Sequence, residues 1–395
     1  MPGKKILLYY PPNKRSVAIE TLAKTVSEAG NELLVLTLTE RGPFHEELEK
    51  SGIKTFTHFL ERKRSSKYFV AQARYLIRFC KKNKIDILLS HLQEGNIIAV
   101  MAQPFLKTKI ITFRHHAESA FYAEFGEQLK MKRNKGEALL DKIINRLAKT
   151  IVVPSSGVWY GMEKYEKCNM QKVILLPYIY DFSSYPEPDE NKVKALKEQY
   201  ACKLLLIMVS RLIPSKQHKP VFEVINKLVK EGLSIKMIVM DNGDLRSELE
   251  AFIEANELKD RIDMIGYRED FVNYMAASDM LIHPSVTEAS NNVVKEMGLL
   301  EKGVAVCRNV GDFNDYIVED RNGYFLENNK LRETIESSIR DAYNDPEKLR
   351  RIGSELKKDV LKHFSDSAAN KQRVLQLLNG EKEGSKLIYV TRKSP

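Results

Sequence analysis

Cysteine is scarce in this chain. Cys80, Cys168, Cys202 and Cys307 are the only four in 395 residues. They form no C-x-x-C pair and have no histidine at metal-ligand spacing, so neither a disulfide framework nor a zinc module is expected. Four isolated thiols fit a reducing compartment. Long apolar runs are missing as well. None approaches the roughly 18 residues that span a bilayer. The apolar part of the N-terminus, Ile6 to Tyr10, is shorter than the core of a secretory signal. A cytoplasmic chain is therefore expected, free or held peripherally on the inner face of the cytoplasmic membrane. There is also no short-period repeat and no low-complexity segment, which excludes solenoids and disordered scaffolds.

What is present is ordinary in amount and uneven in distribution. Hydrophobic residues make up 43% and charged residues 29% of the chain, the balance of a folded globular protein large enough for two domains. The net charge is +10. Residues 1–180 hold 30 Lys and Arg against 17 Asp and Glu, a surplus of 13, whereas the remainder holds 33 against 36. The excess positive charge belongs to the first half, which should face something anionic. A helix expected over Arg62–Lys84 interleaves basic and aromatic residues, and with the Lys130–Lys149 segment it suits peripheral contact with an anionic membrane. No nucleic-acid-binding signature accompanies the charge, so a nucleic-acid-binding protein is the weakest alternative.

Apolar runs alternate with amphipathic stretches along the chain. Strands are expected at Lys4–Tyr10, Leu33–Leu38, Lys54–Thr57, Ile87–Ser90, Lys109–Phe113, Thr150–Val153 and Lys172–Leu176, with helices between most of them. Continuous apolar strands of this kind form parallel sheets covered on both faces. A Pro-, Tyr- and Asp-rich linker follows at Tyr178–Glu190, and the pattern starts again with strands at Lys203–Val209, Ile235–Met240, Ile262–Gly266, Met280–His283 and Val304–Cys307. The expected fold is α/β: two tandem Rossmann-like, doubly wound domains facing across a cleft. Their bounds are 1–180 and 181–363, with a C-terminal helix and tail at 364–395 returning to the first domain. Ligands of such sheets bind beyond the carboxyl ends of the strands.

The residues at those ends in the second domain carry the chemistry. Arg211 and Lys216 follow the first strand, and a forked guanidinium beside a point cation suits a diphosphate. Asn242 and Gly243 form the next turn, where glycine permits close backbone approach. Tyr267 and Arg268 form the third, whose backbone can read a base edge. The stretch Ile282–Val306 supplies the fourth. Glu288 lies in its turn, Ser290, Asn291 and Asn292 stand where helix caps belong, and Glu296 lies one turn into the helix. A helix N-terminus is a seat for phosphate, and flanking carboxylates can hold hydroxyls. Phosphate between hydroxyl-bearing rings describes a nucleotide sugar.

Glu-x7-Glu after a His-Pro-Ser strand end, with Ser-Arg-Leu-x3-Lys about 75 residues earlier, resembles the retaining GT-B glycosyltransferases of the group 1 family. The similar text covers Leu204–Leu326. The resemblance implies that Arg211 and Lys216 hold the donor diphosphate together with the amides of Asn291, Asn292 and Val293. It also implies that Glu288 touches the donor sugar and that Glu296 binds the ribose. No metal and no cofactor are required; a UDP- or GDP-sugar is the cosubstrate and a carbohydrate or lipid-linked molecule the acceptor. Products would belong to cell-envelope polysaccharide or glycolipid. His115 or His116, after the strand at Lys109–Phe113, would lie near the transferred sugar, with the choice between them open. A nucleotide-sugar 2-epimerase has the same architecture and is the alternative enzyme. The first domain departs from the family: Pro11-Pro12-Asn13 stands where a Gly-Gly loop is usual, and Pro177-Tyr178-Ile179-Tyr180-Asp181 replaces Pro-Asn-Gly-x-Asp.

Overall fold

A computed structural model of the chain describes residues 3–61 and 65–380. Arg62, Lys63, Arg64 and the polar tail beyond Gly380 lie outside the described residues. The chain divides into two compact units, residues 1–183 with 364–395, and residues 184–363.

The first unit holds a seven-stranded parallel sheet: β1 (Lys5–Tyr9), β2 (Glu32–Thr37), β3 (Lys54–Thr57), β4 (Ile87–His91), β5 (Lys109–Phe113), β6 (Ile151–Val153) and β7 (Val173–Leu175). Their order is β3-β2-β1-β4-β5-β6-β7. Ile6, Leu7 and Leu8 on β1 and Leu88 on β4 are fully buried, which is why these strands read as unbroken apolar runs. The second unit repeats the design with six strands: β8 (Leu204–Val209), β9 (Ile235–Met240), β10 (Ile262–Gly266), β11 (Met280–His283), β12 (Gly303–Cys307) and β13 (Tyr324–Leu326), in the order β10-β9-β8-β11-β12-β13. In each sheet the order reverses beside the first strand, at β1/β4 and at β8/β11. Helices leave to opposite faces at such a point and open a crevice at the carboxyl ends of the strands.

The last helix, Ala368–Asn379, belongs to the first unit. Val374, Leu377 and Leu378 are buried in that unit's core. Lys371 pairs with Glu28 at 3.1 Å, and Lys4 Nζ donates to the Leu378 carbonyl at 3.0 Å. Three helices have no counterpart in the pattern read from the sequence: Glu118–Phe125, Ser156–Lys164 and Glu190–Gln199. The third begins inside the expected linker, where Asp189 caps it by accepting from the N–H groups of Asn191 and Lys192. The basic helix runs over Ser66–Asn83, so of the expected Arg62–Lys84 span the first residues fall outside the described part.

Candidate active site

In the second unit, β8 ends at Val209 and the chain turns through Pro214–Lys216 into the helix His218–Lys230, with Gln217 left-handed at φ 52°. The turn is fastened to the loop after β11. Lys216 Nζ donates to Ser285 Oγ at 3.0 Å and forms an ion pair with Glu288. The Val286 N–H donates to the Ser215 carbonyl at 3.0 Å, and Gln217 Nε2 to the Pro284 carbonyl at 2.9 Å. His283 Nε2 lies 2.9 Å from the same Glu288 oxygen that Lys216 meets. Burial opposes ionisation of Glu288, but hydrogen bonds and charge from His283 and Lys216 outweigh it and hold the carboxyl well below its usual range. Arg211 is exposed, and its guanidinium makes no hydrogen bond or ion pair among the described residues.

Asn291 caps the helix Asn292–Leu299, its Oδ1 accepting from the Val294 N–H at 2.9 Å. The amides of Asn292 and Val293 therefore stand at the positive end of a helix. The cap is anchored from below. Lys295 is fully buried and donates to Asp312 Oδ2 at 2.7 Å, to Ser290 Oγ at 2.9 Å and to the Asn291 carbonyl at 2.9 Å. Ser290 in turn donates to Asp312 at 2.6 Å. Gly311, at φ +53°, lies against Glu288; a Cβ there would come within 2.9 Å of the Glu288 Cβ. The Glu296 carboxylate has no hydrogen bond or ion pair among the described residues, while its backbone carbonyl accepts from the Leu300 N–H at 3.1 Å. Burial raises its carboxyl to about 7, with neighbouring Lys295 pulling the other way.

Two further turns extend the row. Gly243, after β9, packs against the Arg211 loop so closely that a Cβ would lie 2.5 Å from the Leu212 carbonyl oxygen. The Leu212 N–H donates to the Asn242 carbonyl at 3.1 Å, and Arg246 Nη1 to Asn242 Oδ1 at 2.7 Å. Beyond β10, Tyr267 is 71% exposed and Arg268 is exposed beside it. The strands are parallel, so all four turns leave one end of the sheet. Their order in space is Tyr267/Arg268, Asn242/Gly243, Arg211/Lys216, then Glu288 and the capped helix. Three strand spacings, about 14 Å, separate the first from the last.

In the first unit the two histidines part company. His115 is hydrogen-bonded through Nδ1 to the Tyr178 hydroxyl and through Nε2 to His91 Nδ1, 3.2 Å away. His91 is buried at the end of β4 and stacks on Phe113 with ring centres 4.3 Å apart. Burial lowers His115 to about 3, reinforced by nearby His116, so its ring is neutral at physiological pH. His116 is exposed. Below them Arg114 is buried and pairs with Asp141 at 2.7 Å and Glu166 at 2.9 Å. At the β1/β4 crevice lies a cavity of about 800 Å³, walled by Pro11, Pro12, Leu60, Phe69, Leu139 and Leu140 among others. Leu92, which opens the helix after β4, sits there at φ +63°, a strained conformation for a leucine.

Two family descriptions match the chain, one on each sheet. Residues 189–359 match "Glycosyl transferases group 1", and residues 16–173 match "Glycosyltransferase Family 4". The chain belongs to the group 1 glycosyl transferases. Among its relatives is the Campylobacter jejuni N-acetylgalactosamine-N,N'-diacetylbacillosaminyl-diphospho-undecaprenol 4-alpha-N-acetylgalactosaminyltransferase. It is 23% identical over 224 residues, 55% of this chain and 56% of that protein. The chain thus spans about half the length of the curated relatives it matches first. An Escherichia coli UDP-Gal:alpha-D-GlcNAc-diphosphoundecaprenol alpha-1,3-galactosyltransferase is 23% identical over 319 residues, 77% of this chain and 79% of that protein. The crystal structure of Anabaena HepE with UDP and glucose superposes with a TM-score of 0.77 at 17% identity, covering 95% of this chain and 99% of that one. This likeness establishes the two-domain GT-B fold.

As a group 1 glycosyl transferase, the chain brings Arg211, Lys216, Glu288, Asn291, Asn292, Val293 and Glu296 to one end of a single sheet. Sequence reasoning did not single out His283, Ser285, Lys295, Gly311 or Asp312, which hold that end in shape, nor His91 and Tyr178. His283 opens the His-Pro-Ser motif and could have been noticed there. Asp312 and Tyr178 are 17 and 63 residues from their partners, and one sequence carries no signal for such pairings. Among the described residues no group of three or more His, Cys, Asp or Glu has the arrangement of a metal site. None of the described helices is long and apolar enough to cross a membrane.

Proposed function

We propose that this protein moves a hexose-type sugar from a UDP- or GDP-sugar to a carbohydrate or lipid-linked acceptor, with retention of anomeric configuration, in synthesis of a cell-envelope glycan. The observation that carries the reading is the row of four turns on the second sheet, ending at a capped helix flanked by Glu288 and Glu296. The diphosphate lies over the amides of Asn292 and Val293, with Arg211 and Lys216 beside it. Glu296 accepts from the ribose hydroxyls, and the Gly266–Arg268 turn meets the base. Glu288, kept ionised by Lys216 and His283, orients the sugar.

The bond from the anomeric carbon to the diphosphate oxygen breaks, and its electron pair leaves with the diphosphate. The acceptor hydroxyl oxygen bonds to that carbon, and its proton passes to the departing diphosphate. Arg211, Lys216 and the helix terminus stabilise the charge that develops, a contribution of a few kcal/mol for each well-placed group. These cations serve the purpose a metal serves elsewhere, so chelation by EDTA should leave the rate unchanged. His115, its ring nitrogens engaged by His91 and Tyr178, fixes the strand end, and exposed His116 is our candidate for the contact with the sugar.

Names of relatives support a lipid-linked acceptor, since two carry undecaprenyl diphosphate sugars as theirs. The apolar cavity at the β1/β4 crevice supports the same choice, and with it peripheral contact with an anionic membrane. Screening UDP- and GDP-sugars for thermal stabilisation, then following the best donor with a lipid-linked acceptor by NMR, tests the proposal. An α-linked donor should give an α-linked product, and the donor incubated alone should stay unchanged. An inverted product, or epimerisation of the donor alone, would overturn it.

A further inference from the structure

Some cations of the first unit have a carboxylate partner. Arg15, Lys24 and Lys50 all reach Glu47, and Arg41 pairs with Glu49. The helix Ser66–Asn83 is different. It carries five basic residues and no acidic one. Arg74, Arg78, Lys81 and Lys82 on it, and Lys84 just beyond, are exposed and form no ion pair among the described residues.

Arg74, Arg78 and Lys82 recur every fourth residue and so share one face of the helix. That face borders a groove of about 650 Å³ between the helix and β3. β3 is the edge strand of its sheet and pairs with β2 alone. Aromatic rings make the floor. Phe56 and Phe79 meet edge to face at 5.2 Å, and His58 stacks on Tyr75 at 3.5 Å. On the other flank of the same helix a second hollow of about 570 Å³ is bordered by Lys81, Lys84 and Lys107, with Phe105 62% exposed at its rim. Leu60 lines both the first groove and the apolar cavity at the β1/β4 crevice, where Phe59 is 53% exposed.

We infer that this face, the groove of Arg74, Arg78 and Lys82 with its aromatic floor, is where an anionic phospholipid bilayer docks. Headgroup phosphates meet the three cations, and Phe56 and Phe105 enter the interfacial layer. Unpaired cations beside exposed phenylalanines suit a surface that is anionic and apolar within a few ångströms, which is the chemistry of a bilayer interface. A polynucleotide offers the charge without the apolar layer. The groove opens towards the cavity we assign to the acceptor, so a lipid held in the bilayer could reach it past Leu60. The inference rests on the membrane-contact reading above and names the surface that reading left open.

Co-sedimentation with vesicles of equal parts phosphatidylglycerol and phosphatidylcholine tests it, using the full chain, with duplex DNA at the same salt as a second probe. At about 1 kcal/mol per basic residue near an anionic surface, R74Q/R78Q/K82Q should weaken partitioning roughly 100-fold, and R78Q alone roughly fivefold. The charge-conserving R74K/R78K/K82R should bind as wild type does. All three should keep the wild-type thermal midpoint and stabilisation by donor nucleotide. If wild type binds and the triple Gln variant binds equally well, the assignment of this groove fails while membrane contact stands. If wild type does not bind the anionic vesicles, membrane contact itself fails. Tighter binding to DNA than to vesicles, lost in the same variant, would assign the groove to nucleic acid instead.

Discussion

The two units reverse strand order at equivalent places, β1/β4 and β8/β11, yet the crevices there are lined by opposite chemistry. In the first unit, prolines, Leu60, Phe69, Leu139 and Leu140 enclose an apolar cavity. In the second, Lys216, Ser285 and Glu288 are bonded to one another beneath a capped helix. Parallel topology determines where a ligand can lie. The loop residues decide which ligand: charged side chains on one sheet suit a diphosphate, and apolar ones on the other suit an apolar body. The supports differ in kind as well. The polar crevice is held by the buried Lys295–Asp312 pair and by the close approach of Gly311 to Glu288. In the apolar crevice Gly95 lets the helix after β4 approach the Pro11 ring, where a Cβ would come within 3.3 Å.

The largest expected way to break this contrast is at the polar crevice. Lys216→Ala removes a cation from the diphosphate and leaves Glu288 with His283 alone. Transfer should fall about 10³-fold in kcat/KM, the scale of losing one preorganised electrostatic group. Steady-state kinetics measure this, and a fall of less than tenfold would put the diphosphate elsewhere. A charge placed in the apolar crevice should act on the other substrate only. Leu139→Glu should raise KM for a lipid-linked acceptor about 30-fold, near 2 kcal/mol, and leave donor binding unaltered. Equal effects on both substrates would erase the distinction between the crevices.

The smallest effect is one of pH. Glu296 has a carboxyl raised to about 7 by burial. Its folded value lies above that of the unfolded chain, so the ligand-free protein loses stability as pH rises from about 4.5 to 7. Donor binding has the opposite slope, because the ionised carboxylate is the better acceptor for hydroxyls. Calorimetric affinity for the donor should improve about tenfold between pH 6 and pH 8, one pKa unit's worth of coupling. A Glu296→Gln variant should lose that dependence and gain about 1 kcal/mol of stability at pH 8.

Periodicity made both sheets legible, because most of their strands are buried on both faces and so appear as unbroken apolar runs; the edge strand β3, Lys54–Thr57, is exposed. Helices read well where one stripe was apolar, as in His218–Lys230 with Val221, Phe222, Val224, Ile225 and Leu228 buried. They were missed where the stripe was absent. Glu190–Gln199 buries only Leu196, Glu118–Phe125 only Phe121, and Ser156–Lys164 contains two glycines. The capped helix and its carboxylates, where we propose the diphosphate sits, were legible because cap residues and carboxylates are close in sequence. What shapes it was not. Lys216 meets Glu288 across 72 residues, and His115 meets Tyr178 across 63. Such partners become neighbours only when separate strands are set side by side.

One titration bears most directly on the nucleotide seat. UDP and GDP are titrated by calorimetry into the wild-type chain and into Glu296→Ala at pH 8. Wild type should bind one of the two, and the variant should bind it at least 30-fold more weakly with a thermal midpoint no lower than that of wild type, the loss of about 2 kcal/mol of hydrogen bonding to a charged group. Equal affinity in the two proteins would show that no ribose rests on Glu296 and that the row of turns on the second sheet is not where the donor binds.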